Sequence, residues 1–278
     1  MVYNSLWDQI EKKRRKWNAK DKPLSFDGPF LFVLNKLMWE FEKQKPDPDI
    51  LALYPPRVIR AIIDYKIEHP ETEGRIEPYV MKAVDFALSV YRNHKNTEKL
   101  FDECNGLLKA LQKDFLDLAN NSAVRQTWDS ETWDATHPDS SKVTASKLEE
   151  MLKGTEVLFI PMAHGGVPAG LDVFLRYCDG KLGKSVFYPV RFSRGKHNDF
   201  SPRISNEELR YLTTEASNRK VVVFDEDSYS NNTLWRVVDL FFNQTFHKIP
   251  IIVAINYMER YMGPYVESAE KTLNLFPS

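Results

Sequence analysis

Val221-Val222-Val223-Phe224-Asp225-Glu226-Asp227-Ser228-Tyr229-Ser230-Asn231-Asn232-Thr233 runs from four apolar residues through three acids into small polar residues that open a helix-capable segment. A short continuous apolar run suits a strand buried on both faces, as in a parallel sheet covered by helices. The polar residues then fall at the carboxyl end of that strand, where ligands bind in open α/β sheets. A helix N-terminus presents unpaired N–H groups and partial positive charge, and hydroxyls at Ser228, Ser230 and Thr233 add donors, so the loop suits a phosphate monoester. Asp225 and Glu226 would reach neighbouring hydroxyls of the same ligand, and phosphate with a diol describes a ribose 5-phosphate. The same composition also suits a solvated βα turn.

Working outward, Val157-Leu158-Phe159-Ile160, Val186-Phe187-Tyr188-Pro189-Val190 and Ile251-Ile252-Val253-Ala254-Ile255 are further apolar runs of strand length. Helix-capable stretches lie between them at 169–178, 206–216 and 233–242, and Ser205 with Glu208 three residues on makes a capping box. Strand alternating with helix predicts an α/β fold, a parallel sheet flanked by helices, over residues 147–278.

Three of these elements, in order, resemble the type I phosphoribosyltransferases over about residues 147–256. The stretch 221–233 resembles that family's motif for phosphoribosyl pyrophosphate (PRPP): four apolar strand residues, an acidic pair, and a Thr-Gly-x-Thr-like turn into a helix. Ile160-Pro161-Met162-Ala163-His164-Gly165-Gly166-Val167-Pro168 resembles its pyrophosphate loop. Tyr188-Pro189-Val190-Arg191-Phe192-Ser193 and the polar stretch 194–203 resemble its third strand and flexible loop.

The resemblance implies that Asp225 and Glu226 hold the ribose hydroxyls, and that Ser228, Tyr229, Ser230, Asn231, Asn232 and Thr233 surround the 5-phosphate. Ala163, His164, Gly165, Gly166 and Arg191 would meet the pyrophosphate, with Ser193, Lys196 and His197 on the closing loop. The implied chemistry is displacement of pyrophosphate by a nitrogen nucleophile, with Mg2+ on PRPP oxygens and reaching Asp225 and Glu226 only through PRPP. The loop 193–203 reads as a lid that excludes water or as an ordinary surface loop. Asn231 stands where the family has glycine; asparagine tolerates positive φ best among other residues, at a cost of about 1 kcal/mol. Glu226 replaces the commoner second Asp, and Tyr229 is bulky where purine-type members carry an acidic base, which weighs against purine salvage.

Residues 6–126 follow a different grammar. Apolar residues recur at helical spacing, as in Phe30, Val33, Leu34, Leu37, Met38 and Phe41, and predict four to six helices in an accessory domain, residues 1–127. Pro46 and Pro48, Pro55 and Pro56, His69-Pro70 and Gly74 read as breaks. The polar segment around 128–146 reads as a linker. Lys12, Lys13, Arg14, Arg15 and Lys16 form a basic run that suits a solvated face. Tyr257, Tyr261 and Tyr265 are spaced for a helix, where they would stack on a base or pack.

The chain of 278 residues is 42% hydrophobic and 28% charged, with a formal net charge of −1. That suits a globular protein and gives no global attraction to nucleic acid or an anionic membrane. Cys104 and Cys178 stand alone, which argues against a disulfide framework or structural zinc. The apolar runs are far below the roughly 20 residues of a membrane span, and the N-terminus lacks the pattern of a secretory signal, so a cytoplasmic location is expected. Three readings stand on this sequence: a transferase using PRPP, Mg2+ and a small-molecule nitrogen acceptor; a regulatory protein that senses PRPP or a nucleotide; and a defence or toxin effector acting on nucleotides. In each, the N-terminal helices would serve a homodimer or a protein partner.

Overall fold

A computed structural model describes residues 3–13, 26–126, 135–163, 165–179, 183–192, 202–228, 232–246 and 249–275; of 228 and 232–234 the backbone alone is described. The chain divides into two compact units, residues 4–130 and residues 131–278 with 1–3. No helix among the described residues is long and apolar enough to cross a membrane.

The described part of the first unit contains α1 (Leu6–Lys13), α2 (Phe30–Phe41), α3 (Pro48–Glu68), α4 (Glu77–Asn93), α5 (Thr97–Asp114) and α6 (Leu116–Asn121). The stripe read from the sequence of α2 is buried at Phe30, Val33, Leu34, Leu37 and Phe41, and each such side chain contributes roughly 2 kcal/mol. Two short strands, β1 (Phe26–Pro29) and β2 (Ala123–Gln126), pair antiparallel, a sheet the helical reading did not foresee.

Pro55 and Pro56 do not break the chain but lie inside the 21-residue α3. Pro56 lacks the N–H that would bond the carbonyl of Ala52 four residues back. The buried Tyr91 hydroxyl of α4 donates to that carbonyl instead, at 2.6 Å. The helix therefore continues because a neighbouring helix supplies the missing donor. The break at His69-Pro70 is present: α3 ends there, and Gly74 turns at φ +80°.

In the second unit, α7 (Pro138–Leu152) corrects the linker reading, since residues 138–146 are helix. Pro138 at the first turn and His137 as N-cap, accepting from the Asp139 N–H at 3.2 Å, start it. Its Thr144 hydroxyl donates to Asn256 Oδ1 at 2.8 Å, while Asn256 Nδ2 donates to Ser141 Oγ at 3.1 Å and Ala135 O at 2.9 Å. Asn256 is 0% exposed, so these bonds fix α7 against its strand without an unpaired buried amide.

The sheet is built from β3 (Val157–Ala163), β4 (Val186–Phe187), β5 (Val190–Arg191), β6 (Lys220–Ser228), β7 (Ile251–Met258) and β8 (Gly263–Ser268). Its order is β4-β3-β6-β7-β8, with β5 also beside β3, and every pairing is parallel except β7 with β8. The run expected as one strand at 186–190 is split into β4 and β5 around Pro189, which has no N–H for the ladder. Phe159, Phe174, Phe187 and Phe224 cluster with ring centroids 5.4 to 5.8 Å apart, joining the sheet to α8 (Gly166–Tyr177).

The chain leaves β3 for β4 on one side and later returns to β6 on the other. That reversal makes the carboxyl ends of β3 and β6 the switch point of the sheet, the place of the crevice in open α/β folds. After β5 come α9 (Asn206–Ala216), α10 (Asn232–Asp239), which runs into a π turn at Leu240–Thr245, and α11 (Ala269–Leu275). The capping box of α9 is present, with Ser205 Oγ accepting from the Glu208 N–H and Glu208 Oε2 from the Ser205 N–H. Tyr257, Tyr261 and Tyr265 are not on a helix: they lie on β7, a 3-10 turn and β8. Tyr261 and Tyr265 stack at 5.3 Å, and the Tyr265 hydroxyl pairs with Thr272.

Candidate functional site

The crevice at the end of β3 and β6 brings two of the sequence-derived elements together. Asp225 and Glu226 end the apolar part of β6, and Gly165-Gly166 open α8 after β3. A Cβ on Gly165 would lie 1.5 Å from Glu226 Oε1, and one on Gly166 3.3 Å from Glu226 Oε2 and 3.6 Å from Asp225 Oδ1. No other side chain can stand at 165 while Glu226 keeps its place. The backbone of Gly165 is ordinary, at φ −59°, so close approach and not backbone freedom demands glycine here. Gly170, one turn further, lets α8 lie on Pro161, Phe224 and Phe159, with a Cβ there meeting atoms at 3.1 to 3.4 Å.

The N-terminus of the twelve-residue α8 has no side-chain cap. Its first-turn N–H groups and partial positive charge face a crevice that holds two carboxylates. Glu226 is 8% exposed, and no donor reaches its Oε2 among the described residues. Its carboxyl faces that of Asp225, a contact that becomes a hydrogen bond when the two share a proton. Burial first, then repulsion from Asp225 and Asp227, pushes the Glu226 carboxyl well above the usual range. Burial also pushes Asp225 up to about 6, opposed by hydrogen bonding from Glu226, whose N–H donates to Asp225 Oδ1 at 3.1 Å. The two carboxyls titrate as a pair, and their burial favours the form in which they share a proton.

Arg191 ends β5 beside Ala163, buried, with Nη1 donating to the Ala163 carbonyl at 3.4 Å. Its carbonyl accepts from the Arg203 N–H at 2.7 Å in an isolated antiparallel bridge. The chain on either side of residues 193–201 is thereby pinned at one edge of the crevice. His164, Ser193, Lys196, His197, Tyr229, Ser230 and Asn231 lie outside the described residues. Ser228 ends β6, and the backbone of Asn232 and Thr233 opens α10.

Two of the larger cavities in the described residues lie elsewhere. One of about 780 Å³ is at the amino end of the sheet, lined by Glu156, Ser185 and Cys178 among others; one of about 730 Å³ is in the helical unit. Asp227 is the participant that the sequence reading passed over, although it stands in plain view beside the pair and adds to the charge on Glu226. Compared with protein-family models, curated proteins and solved structures, the chain matches none.

Proposed function

We propose that the crevice binds PRPP and that the protein transfers its ribose 5-phosphate to a nitrogen nucleophile. The observation that carries this reading is the contact of Gly165-Gly166 with Asp225-Glu226 across the reversal point of the sheet. Two elements that resemble one family in sequence, 60 residues apart, need not meet in space, and here they share a single crevice.

In this reading Asp225 and Glu226 accept from the ribose 2- and 3-hydroxyls. The N–H groups at the start of α8 meet the pyrophosphate, and those at the start of α10, with Ser228 and Thr233, meet the 5-phosphate. The bond from the anomeric carbon to the pyrophosphate oxygen breaks, a bond to nitrogen forms, and the nitrogen loses its proton to solvent or to a base. A carboxylate pair with one oxygen that no described residue donates to suits the ribose hydroxyls of a ligand whose phosphate oxygens carry a hard cation. Mg2+ would supply neutralisation of the leaving pyrophosphate, with Asp225 and Glu226 reaching it through PRPP. Arg191, at the mouth of residues 193–201, adds positive charge on the pyrophosphate side.

The test is calorimetric titration of PRPP with Mg2+ into the protein and into Asp225→Asn/Glu226→Gln, paired with pyrophosphate release over a panel of bases and nucleosides. Binding that falls at least tenfold in the double variant supports the site, because the amides keep their acceptor oxygens but lose the negative charge of the pair, and a charged acceptor is worth roughly 1.5 to 3 kcal/mol. Equal affinity in both proteins sinks it. Release of pyrophosphate supports transfer, and tight binding without release across the panel moves the reading to a sensor of PRPP.

A further inference from the structure

The helical unit contains a cavity of about 730 Å³ formed by three separate pieces of chain. Gln9 and Lys13 come from α1, residues 43–48 and Leu51 from the turn into α3, and His94, Lys95 and Thr97 from the passage between α4 and α5. Its lining holds four lysines, Lys13, Lys43, Lys45 and Lys95, against one carboxylate, Asp47. The volume lies within the range of small-molecule sites, roughly 300 to 1,000 Å³.

The lysines are of two kinds. Lys13 contacts Asp47 at 3.0 Å, and Lys43 contacts Glu40 at 2.5 Å while lying 3.7 Å over the Trp39 ring. Lys45 and Lys95 are exposed and meet no carboxylate among the described residues. The turn that carries Lys43 and Lys45 is fixed from beneath, because Glu40 Oε2 accepts from the Asp47 N–H at 3.0 Å. The eighteen-residue α5 begins at the cavity edge without a side-chain cap on its N-terminus, so its first N–H groups face outward. His94 is 8% exposed, burial pushes its pKa down, and its Nε2 lies 3.0 Å from Gln9 Nε2, which orients the Gln9 amide at the wall.

A pocket with two uncommitted ammonium groups, an open helix N-terminus and a fixed floor is suited to concentrated negative charge. Exposed acids, Glu42 and Glu98, stand next along the chain to lining residues, which interrupts any basic stripe of the kind a nucleic-acid backbone follows. We propose that this cavity is a binding site for the oligophosphate group of a small molecule, separate from the crevice of the α/β unit. The basic run that begins at Lys12-Lys13 thereby acquires a role in one of its members. The proposal stands whether or not the α/β crevice binds PRPP.

The experiment titrates sodium tripolyphosphate and, separately, ATP without Mg2+ into the full chain, into Lys45→Glu/Lys95→Glu and into Asp225→Asn/Glu226→Gln. Lys45 and Lys95 are exposed and unpaired among the described residues, so reversing them spares the fold, which circular dichroism checks. Expected is binding at least tenfold weaker in the lysine variant and within twofold of wild type in the carboxyl variant, with affinity falling as NaCl rises from 0.1 to 0.5 M. Equal affinities for tripolyphosphate and ATP identify the phosphate chain alone as the ligand group, and tighter ATP identifies a nucleotide; both uphold the site. No binding by wild type, binding unchanged in the lysine variant, or loss confined to the carboxyl variant overturns it. So does a single-stranded 20-mer RNA that binds more tightly than ATP and loses that affinity in the lysine variant, because the surface would then serve a nucleic acid.

Discussion

Two buried glutamates, one in each unit, differ in a way that separates structure from function. Glu40 in α2 is 1% exposed and has donors for both oxygens: Lys43 at 2.5 Å and Lys36 at 3.6 Å on Oε1, and the Asp47 N–H at 3.0 Å on Oε2. Glu226 at the end of β6 is 8% exposed and faces another carboxylate, with no donor on Oε2 among the described residues. A buried charge is costly unless paired and hydrogen-bonded. Glu40 meets that condition within its own unit and holds a turn in place. Among the described residues Glu226 does not, and in the proposed reading the hydroxyls of the ligand meet its Oε2.

The same substitution in both places sharpens the contrast. Glu40→Gln places an amide against two ammonium groups and should destabilise the helical unit by about 3 kcal/mol. Glu226→Gln copies the protonated form that burial and Asp225 already favour, so at pH 7.5 it should stabilise the α/β unit by on the order of 1 kcal/mol. The sign follows from linkage: the native pair holds a proton that the unfolded chain releases, so wild-type stability is full below about pH 4 and declines as pH rises towards and beyond 6. The gain from Glu226→Gln should accordingly disappear at pH 4.5. Urea unfolding of the three proteins at both pH values checks this, and a Glu226→Gln that destabilises at pH 7.5 would show that its carboxylate has donors after all.

A smaller effect probes the geometry beneath the site. Gly165→Ala puts a methyl where Glu226 Oε1 now lies, which should cost about 2 kcal/mol and weaken PRPP binding. In a Glu226→Ala background the three atoms nearest that methyl are gone, and the stability cost should fall. Equal cost in both backgrounds would mean that the glycine is required for a reason other than contact with Glu226.

How much of this was legible in the sequence follows from range. The strands at 157–160, 221–224 and 251–255, the capping box at Ser205 and Glu208, and the core stripe of α2 are local signals, and each is present. The acidic pair and the glycines were legible as motifs, yet their meeting depends on strand order, which no single segment encodes. Residues 138–146 read as linker because Ser, Thr and Asp dominate them, whereas Ser141 and Thr144 face a buried Asn256 more than a hundred residues away. Tyr257, Tyr261 and Tyr265 have helical spacing by coincidence, since β7, a 3-10 turn and β8 pass through them. The lysines of the helical cavity come from three places in the chain and carry no spacing at all.

Pro55 and Pro56 show the same limit in the helical unit, where local chemistry is overruled by a distant partner, and they give the most confined test of satisfied burial. Ala52 is fully buried, and its carbonyl has the Tyr91 hydroxyl where an ordinary helix would offer the N–H of residue 56. Tyr91→Phe removes that donor and should cost about 1 kcal/mol, the usual loss for a buried acceptor left without a partner. In a Pro56→Ala background the restored N–H can bond Ala52, so Tyr91→Phe should cost measurably less there. Urea unfolding of the four proteins in this cycle reads the coupling directly. If Tyr91→Phe costs the same with proline and with alanine at 56, the hydroxyl is not what carries α3 through its two prolines, and side-chain packing around the helix must do so instead.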